Sequence, residues 1–155
     1  MATDNAATDN GKNNSCRSNS MGLKYQKFRN AQPARTIRKE SDEGNIEYKF
    51  KINDWISKER KDILTSQMMF RLHQGDGIAV YNIGYHDDGT PLGLGYHRLF
   101  KTLEMLFEMI EEMVIEVKSV KIMKGTKGYC ANILICKKVN TDLLPPGVED
   151  FHDDW

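Results

Sequence analysis

The chain has 155 residues, 22 Lys and Arg against 22 Asp and Glu, and a hydrophobic share of 39%: enough for one ordinary domain with a core. No run approaches the ~18 apolar residues of a membrane helix, and the N-terminus lacks an apolar signal stretch, so the expectation is a soluble, cytoplasmic protein without a membrane partner. Cys16, Cys130 and Cys136 are too few for a disulfide framework and too scattered for a tetrahedral zinc site.

The balanced charge conceals a segregation along the chain. Residues 1–20 are small and polar, with no apolar period to offset the entropy of ordering them. Residues 21–39 carry Lys24, Lys27, Arg29, Arg35, Arg38 and Lys39 with no acid, and Tyr25 and Phe28 lie among them. Residues 1–42 are therefore expected to be a disordered tail with a basic arm at 21–39. Fixed positive charge with interleaved rings suits a nucleic-acid backbone and its bases; the plainer reading is a solvated linker. Residues 140–155 form an acidic tail with Asp142, Glu149, Asp150, Asp153 and Asp154.

Between the tails, residues 43–139 read as one domain. In "EGNIEYKFKIN", Ile46, Tyr48, Phe50 and Ile52 alternate with Glu47, Lys49, Lys51 and Asn53, which predicts a strand with one dry and one wet face. Leu64, Met68 and Leu72 then recur every four residues, and Ser57 and Gly75 bracket a helix over about 57–74. "GIAVYNIGYH" is apolar on both sides and reads as an interior strand. Asp87-Asp88-Gly89 is a turn, after which Pro91 limits "TPLGLG" to an edge or incomplete strand.

A second helix follows in "YHRLFKTLEMLFEMIEEM". Leu99, Leu103, Leu106 and Ile110 form its apolar stripe, opposite Glu104, Glu108, Glu111 and Glu112. "VIEVKSVKIM" and "YCANILICKKV", joined at Gly125 to Gly128, are the last two strands. The order β-α-β-β-α-β-β predicts an α+β sandwich: a mixed four- to five-stranded sheet with two helices on one face.

Few motifs carry chemistry. No G-x-x-x-x-G-K-[ST] loop is present, and "GLGYHR" lacks the third glycine of a dinucleotide fingerprint, so no nucleotide is expected to bind this chain alone. The four histidines show neither metal-ligand spacing nor a nucleophile partner. Glu43, Glu47, Asp87 and Asp88 could hold a divalent cation for phosphodiester cleavage if the first two strands pair; an acidic turn and a polar strand face are the simpler account. The expectation is no cofactor, with magnesium or manganese entering only under the nuclease reading.

The blocks "EGNIEYKFKI", "LTSQMMFRLHQGDGIAVYNIG", "DDGTPLGL", "LFKTLEMLFEM" and "ILICKKV" resemble, in order and spacing, the region preceding the G domain in eukaryotic elongation-factor-like GTPases of the GTP-binding protein family. Members of that family are translation-type GTPases. The resemblance covers roughly residues 43–139 and implies the accessory domain without the phosphate loop. It departs at Met69 and Phe70, where the family has lysine and tryptophan, and at Ile78, where it has glutamate. The apolar surface added at Met69 or Ile78 would suit a protein partner. A more distant likeness to Schlafen-type, AlbA-like domains rests on Glu43, Glu47-Tyr48-Lys49 and the Gly84 to Gly89 stretch.

Together these give a non-catalytic accessory module that binds RNA, a ribosomal particle or a protein partner. Lys24, Tyr25, Lys27, Phe28, Arg29, Arg35, Arg38 and Lys39 are its expected contacts, extended by Lys49 and Lys51 and by Lys118 and Lys121. The alternatives are a metal-dependent ribonuclease of Schlafen type and a regulatory partner of a complete GTPase.

Overall fold

Seven elements follow one another in the computed structural model, which describes residues 27–53 and 55–138. They are β1 (Gln32–Pro33), β2 (Ile46–Lys49), α1 (Lys58–Gln74), β3 (Ile78–Ile83), α2 (Tyr96–Glu111), β4 (Ile115–Lys124) and β5 (Tyr129–Lys137). Residues 27–29 are also helical. The strands make one mixed sheet in the order β1-β4-β5-β3-β2. The three central strands pair antiparallel, and β1 and β2 add in parallel at the two edges.

Both helices pack on the same sheet face, as an α+β sandwich requires. Leu64, Met68 and Leu72 of α1 and Leu99, Leu103, Leu106 and Ile110 of α2 share one core with Ala79, Tyr81 and Ile83 of β3 and Ala131, Ile133 and Ile135 of β5. The caps of α1 are those that the sequence names. Ser57 Oγ accepts the Arg60 N–H at 3.1 Å, and Gly75 closes the other end. A Cβ at Gly75 would stand 1.8 Å from the Ile78 carbonyl oxygen, so a side chain there would force apart the turn into β3.

The predicted "TPLGLG" strand is reduced to a single bridge between Leu94 and Tyr129. Strand β2 also differs from its reading. Glu47 and Lys49, the expected wet face, point toward α1, whereas Ile46 and Tyr48 lie on the sheet face away from the helices. The alternation misleads because pairing stops at Lys49. Beyond it Ile52 turns into the core, where its backbone exchanges hydrogen bonds with the buried Thr102 hydroxyl.

The largest difference concerns the N-terminal segment. Residues 27–42, expected within a disordered tail, pack on the domain. Phe28 is 6% exposed, edge-on to Tyr96 at 4.5 Å and Tyr129 at 5.1 Å. Gln32 and Pro33 pair with Met123 and Lys124, and the Pro33 position at a sheet edge tolerates its missing N–H. Three backbone bonds continue the attachment: Ala34 N–H to Lys124 O, Ile37 N–H to Gly89 O and Glu40 N–H to Asp87 O. One buried ring and a few ladder bonds order a stretch whose composition alone reads as a linker. The acidic residues 140–155 lie outside the described residues, as do Lys24 and Tyr25.

Candidate functional site

Two concave regions lie on opposite sides of β2. The larger, about 980 Å³, lies on the sheet face away from the helices, walled by residues 32–38. Its floor is set by strand register. Lys121 of β4 is opposite Asn132 of β5, Asn132 opposite Asn82 of β3, and Asn82 opposite Tyr48 of β2. Directly paired residues point to one face, so these four side chains form a row across four strands, spanning about 14 Å at the usual strand spacing.

The wall holds because the end of the sheet beneath it is apolar. Tyr48, Tyr85 and Cys130 are buried together, and Ala34, Ile37 and Met123 cover them. The Tyr48 hydroxyl donates to the Arg38 carbonyl oxygen, fastening the segment above it. Burial pushes the Cys130 thiol up to about 11 and the Tyr85 hydroxyl up to about 12, so neither ionises near neutral pH. Arg35 and Arg38 on the wall and Lys121 on the floor are exposed cations, and among the described residues no Asp or Glu lines the groove. On the floor Asn132 Nδ2 donates to Asn82 Oδ1 at 2.8 Å.

The smaller cleft, about 320 Å³, lies between β2 and α1. Its centre is Arg71, 4% exposed. Arg71 Nε donates to Glu47 Oε2 at 2.6 Å, and the two terminal nitrogens reach the carbonyl oxygens of Ser41, Glu43 and Gly44 at 2.8 to 3.0 Å. Glu40 stands 3.6 Å from the same guanidinium and accepts the Tyr48 N–H. Burial lifts the Glu40 carboxyl above its ordinary value, helped by nearby Glu47 and Asp87 and opposed by the Tyr48 N–H and Arg71.

The carboxylates named from sequence therefore do not gather as a metal site. Glu47 is engaged by Arg71 and by Lys49 at 3.3 Å. Asp87 shares the cleft with Glu47 but is exposed. Asp88 turns back to accept the Thr90 N–H at 2.8 Å, a bond that holds its carboxyl below the usual range. Glu43 is exposed and contributes its carbonyl oxygen instead of its side chain. Among the described residues no three His, Cys, Asp or Glu side chains are placed to hold a metal ion.

The expected basic contacts separate in the same way. Arg35 and Arg38 line the groove, whereas Arg29, Lys39 and Lys51 are exposed outside it. Lys27 donates to the Val120 carbonyl oxygen at 2.7 Å. Phe28 is removed from any stacking role by its burial. Lys49 is on the helix side, paired with Glu47, and Lys118 pairs with Glu116 at 3.5 Å, which leaves Lys121 as the sheet cation that joins the arm. Met69, Phe70 and Ile78 are exposed apolar side chains.

Sequence reasoning missed Asn82, Asn132, Glu40 and Arg71. The two asparagines carried a signal, since each interrupts an otherwise apolar strand, "IAVYNI" and "YCANILIC". Arg71 did as well, as a charge beside Met68 and Leu72 on the buried side of α1.

No helix among the described residues is long and apolar enough to cross a membrane. No protein-family model matches the chain. Over 78 residues it is 38% identical to GTP-binding protein 2 of Mus musculus and, equally, to GTP-binding protein 2 of Homo sapiens. The match takes in 50% of this chain and 13% of each relative, so the chain spans about an eighth of the length of the curated relatives it matches. Half of this chain is thus related to a segment of a GTP-binding protein.

Proposed function

We propose that the chain is a non-catalytic binding module, related to an accessory region of translational GTPases, that holds RNA on the sheet face away from its helices. The observation that supports this reading is the lining of the groove: Arg35, Arg38 and Lys121 converge from the arm and the sheet, and no carboxylate of the described residues lines it with them. Phosphates need fixed positive charge of this kind, and the resulting affinity falls steeply with salt. Segment 32–38 acts here as a built wall, in place of the loose basic arm that the sequence suggests.

The relation to GTP-binding protein 2 supports an accessory role beside a GTPase; it does not bring GTP binding to this chain. The test is RNA binding by the full chain at low and moderate salt, compared with the triple variant Arg35→Gln, Arg38→Gln, Lys121→Gln. Retained affinity in the triple variant, or no RNA binding at low salt, would overturn the reading.

A further inference from the structure

The cations of the groove account for phosphate attraction, and the amides on its floor are left over. Asn82 is 6% exposed, and its Oδ1 already accepts from Asn132. Its Nδ2 donates no hydrogen bond among the described residues, yet it is not sealed from solvent and the residue lines the groove. A side chain buried to this degree normally satisfies its amide. Here the unused donors face the cavity.

Asn132 is in the complementary position. It spends one N–H on Asn82 and keeps a second N–H and its carbonyl oxygen, a donor and an acceptor in one plane. The Watson–Crick edge of a nucleobase offers the same pairing of donor with acceptor, exposed only where the base is not in a duplex. Among the described residues the rings that line the groove, Tyr48 and Tyr85, are both buried, so neither offers a face on which a base could stack.

We infer that the Asn82–Asn132 amide pair hydrogen-bonds the edge of a base, so that the ligand is single-stranded RNA lying with bases toward the sheet and phosphates toward Arg35, Arg38 and Lys121. This rests on the RNA reading above and adds its mode. The cations position the backbone and the amides demand an accessible base.

The experiment compares a labelled single-stranded RNA heptamer, an RNA duplex and inorganic polyphosphate as ligands for the full chain. Two variants are used: Asn132→Gln, which displaces the amide edge by one methylene, and the double variant Asn82→Leu, Asn132→Leu, which removes both partners so that neither is left unsatisfied. The expected result is a loss on the order of tenfold in affinity for the single strand in both variants. Polyphosphate binding and the salt dependence stay unchanged, and the wild-type chain prefers single strand to duplex. Thermal melting checks the fold of each variant, and Asn132→Gln carries the comparison if the double variant melts early.

Equal affinity of wild type and variants for the single strand, or equal wild-type affinity for duplex and single strand, overturns the base contact while the electrostatic reading stands. Absence of binding to every polyanion overturns both.

Discussion

Arg71 on α1 and Glu47 on β2 meet at 2.6 Å with both side chains more than nine-tenths buried, and the same guanidinium also satisfies three backbone carbonyls of residues 41–44. One side chain therefore fixes the edge strand, the segment before it and the helix. Arg71→Leu should lower the unfolding free energy by about 3–5 kcal/mol, since it leaves the buried Glu47 carboxylate with Lys49 alone and takes the donor from three backbone carbonyls. Denaturant unfolding measures this. A loss below about 1 kcal/mol would show that the cleft is wetter than its burial indicates.

Glu40 gives a pH dependence whose sign follows from its raised pKa. The folded chain binds a proton that the unfolded chain has already released above pH 4.5, so this group makes stability fall as pH rises from 4.5 through the raised value. Its unfavourable contribution is fully present once the pH lies above the raised value. Glu40→Gln keeps an oxygen acceptor for the Tyr48 N–H and removes the charge. The melting temperature of that variant should exceed wild type at pH 7 and converge with it below pH 4.5. A variant less stable than wild type at pH 7 would show that the Arg71 attraction outweighs the desolvation.

For the groove, the slope of log affinity against log salt is the quantity to compare. Each phosphate contact on a single strand contributes about 0.7 to that slope, so neutralising Arg35, Arg38 and Lys121 together should reduce it by roughly 2. Arg29→Gln, an exposed cation outside the groove, should leave the slope within about 0.3 of wild type. Equal effects from the two would mean diffuse attraction without a defined track.

Phe28 distinguishes a docked segment from a tail. Phe28→Ala removes the ring packed on Tyr96 and Tyr129 and should cost about 3–5 kcal/mol by thermal or denaturant unfolding. A linker residue would cost close to nothing.

The periodic elements were legible because burial imposes its period on the sequence. The α2 stripe from Leu99 to Ile110, the α1 caps at Ser57 and Gly75, and the interior placement of β3 follow from local pattern alone. Facing was harder at β2. A strand of four residues that ends before its apolar alternation does leaves Phe50 and Ile52 to mimic a dry face that Ile46 and Tyr48 do not share.

The groove was only half legible. Arg35 and Arg38 stood out by composition, but their partners Lys121, Asn82 and Asn132 come from three different strands, and only the register between those strands brings them into one row. The order of residues 27–42 was hidden for a related reason. It depends on Phe28 finding Tyr96 and Tyr129, 68 and 101 positions later in the chain, a contact that no window of local sequence contains.

The attachment of the wall also has a thermodynamic meaning. The amides of Ala34, Ile37 and Glu40 are bonded to three points far along the chain, so their hydrogen exchange reports each opening of this segment. A ligand seated against Arg35 and Arg38 requires the closed form, and by linkage it must slow exchange at these three amides in proportion to its occupancy. The edge strand thus serves as a built-in gauge: saturating RNA should protect Ala34, Ile37 and Glu40 together, while amides of the α2 core keep their rates.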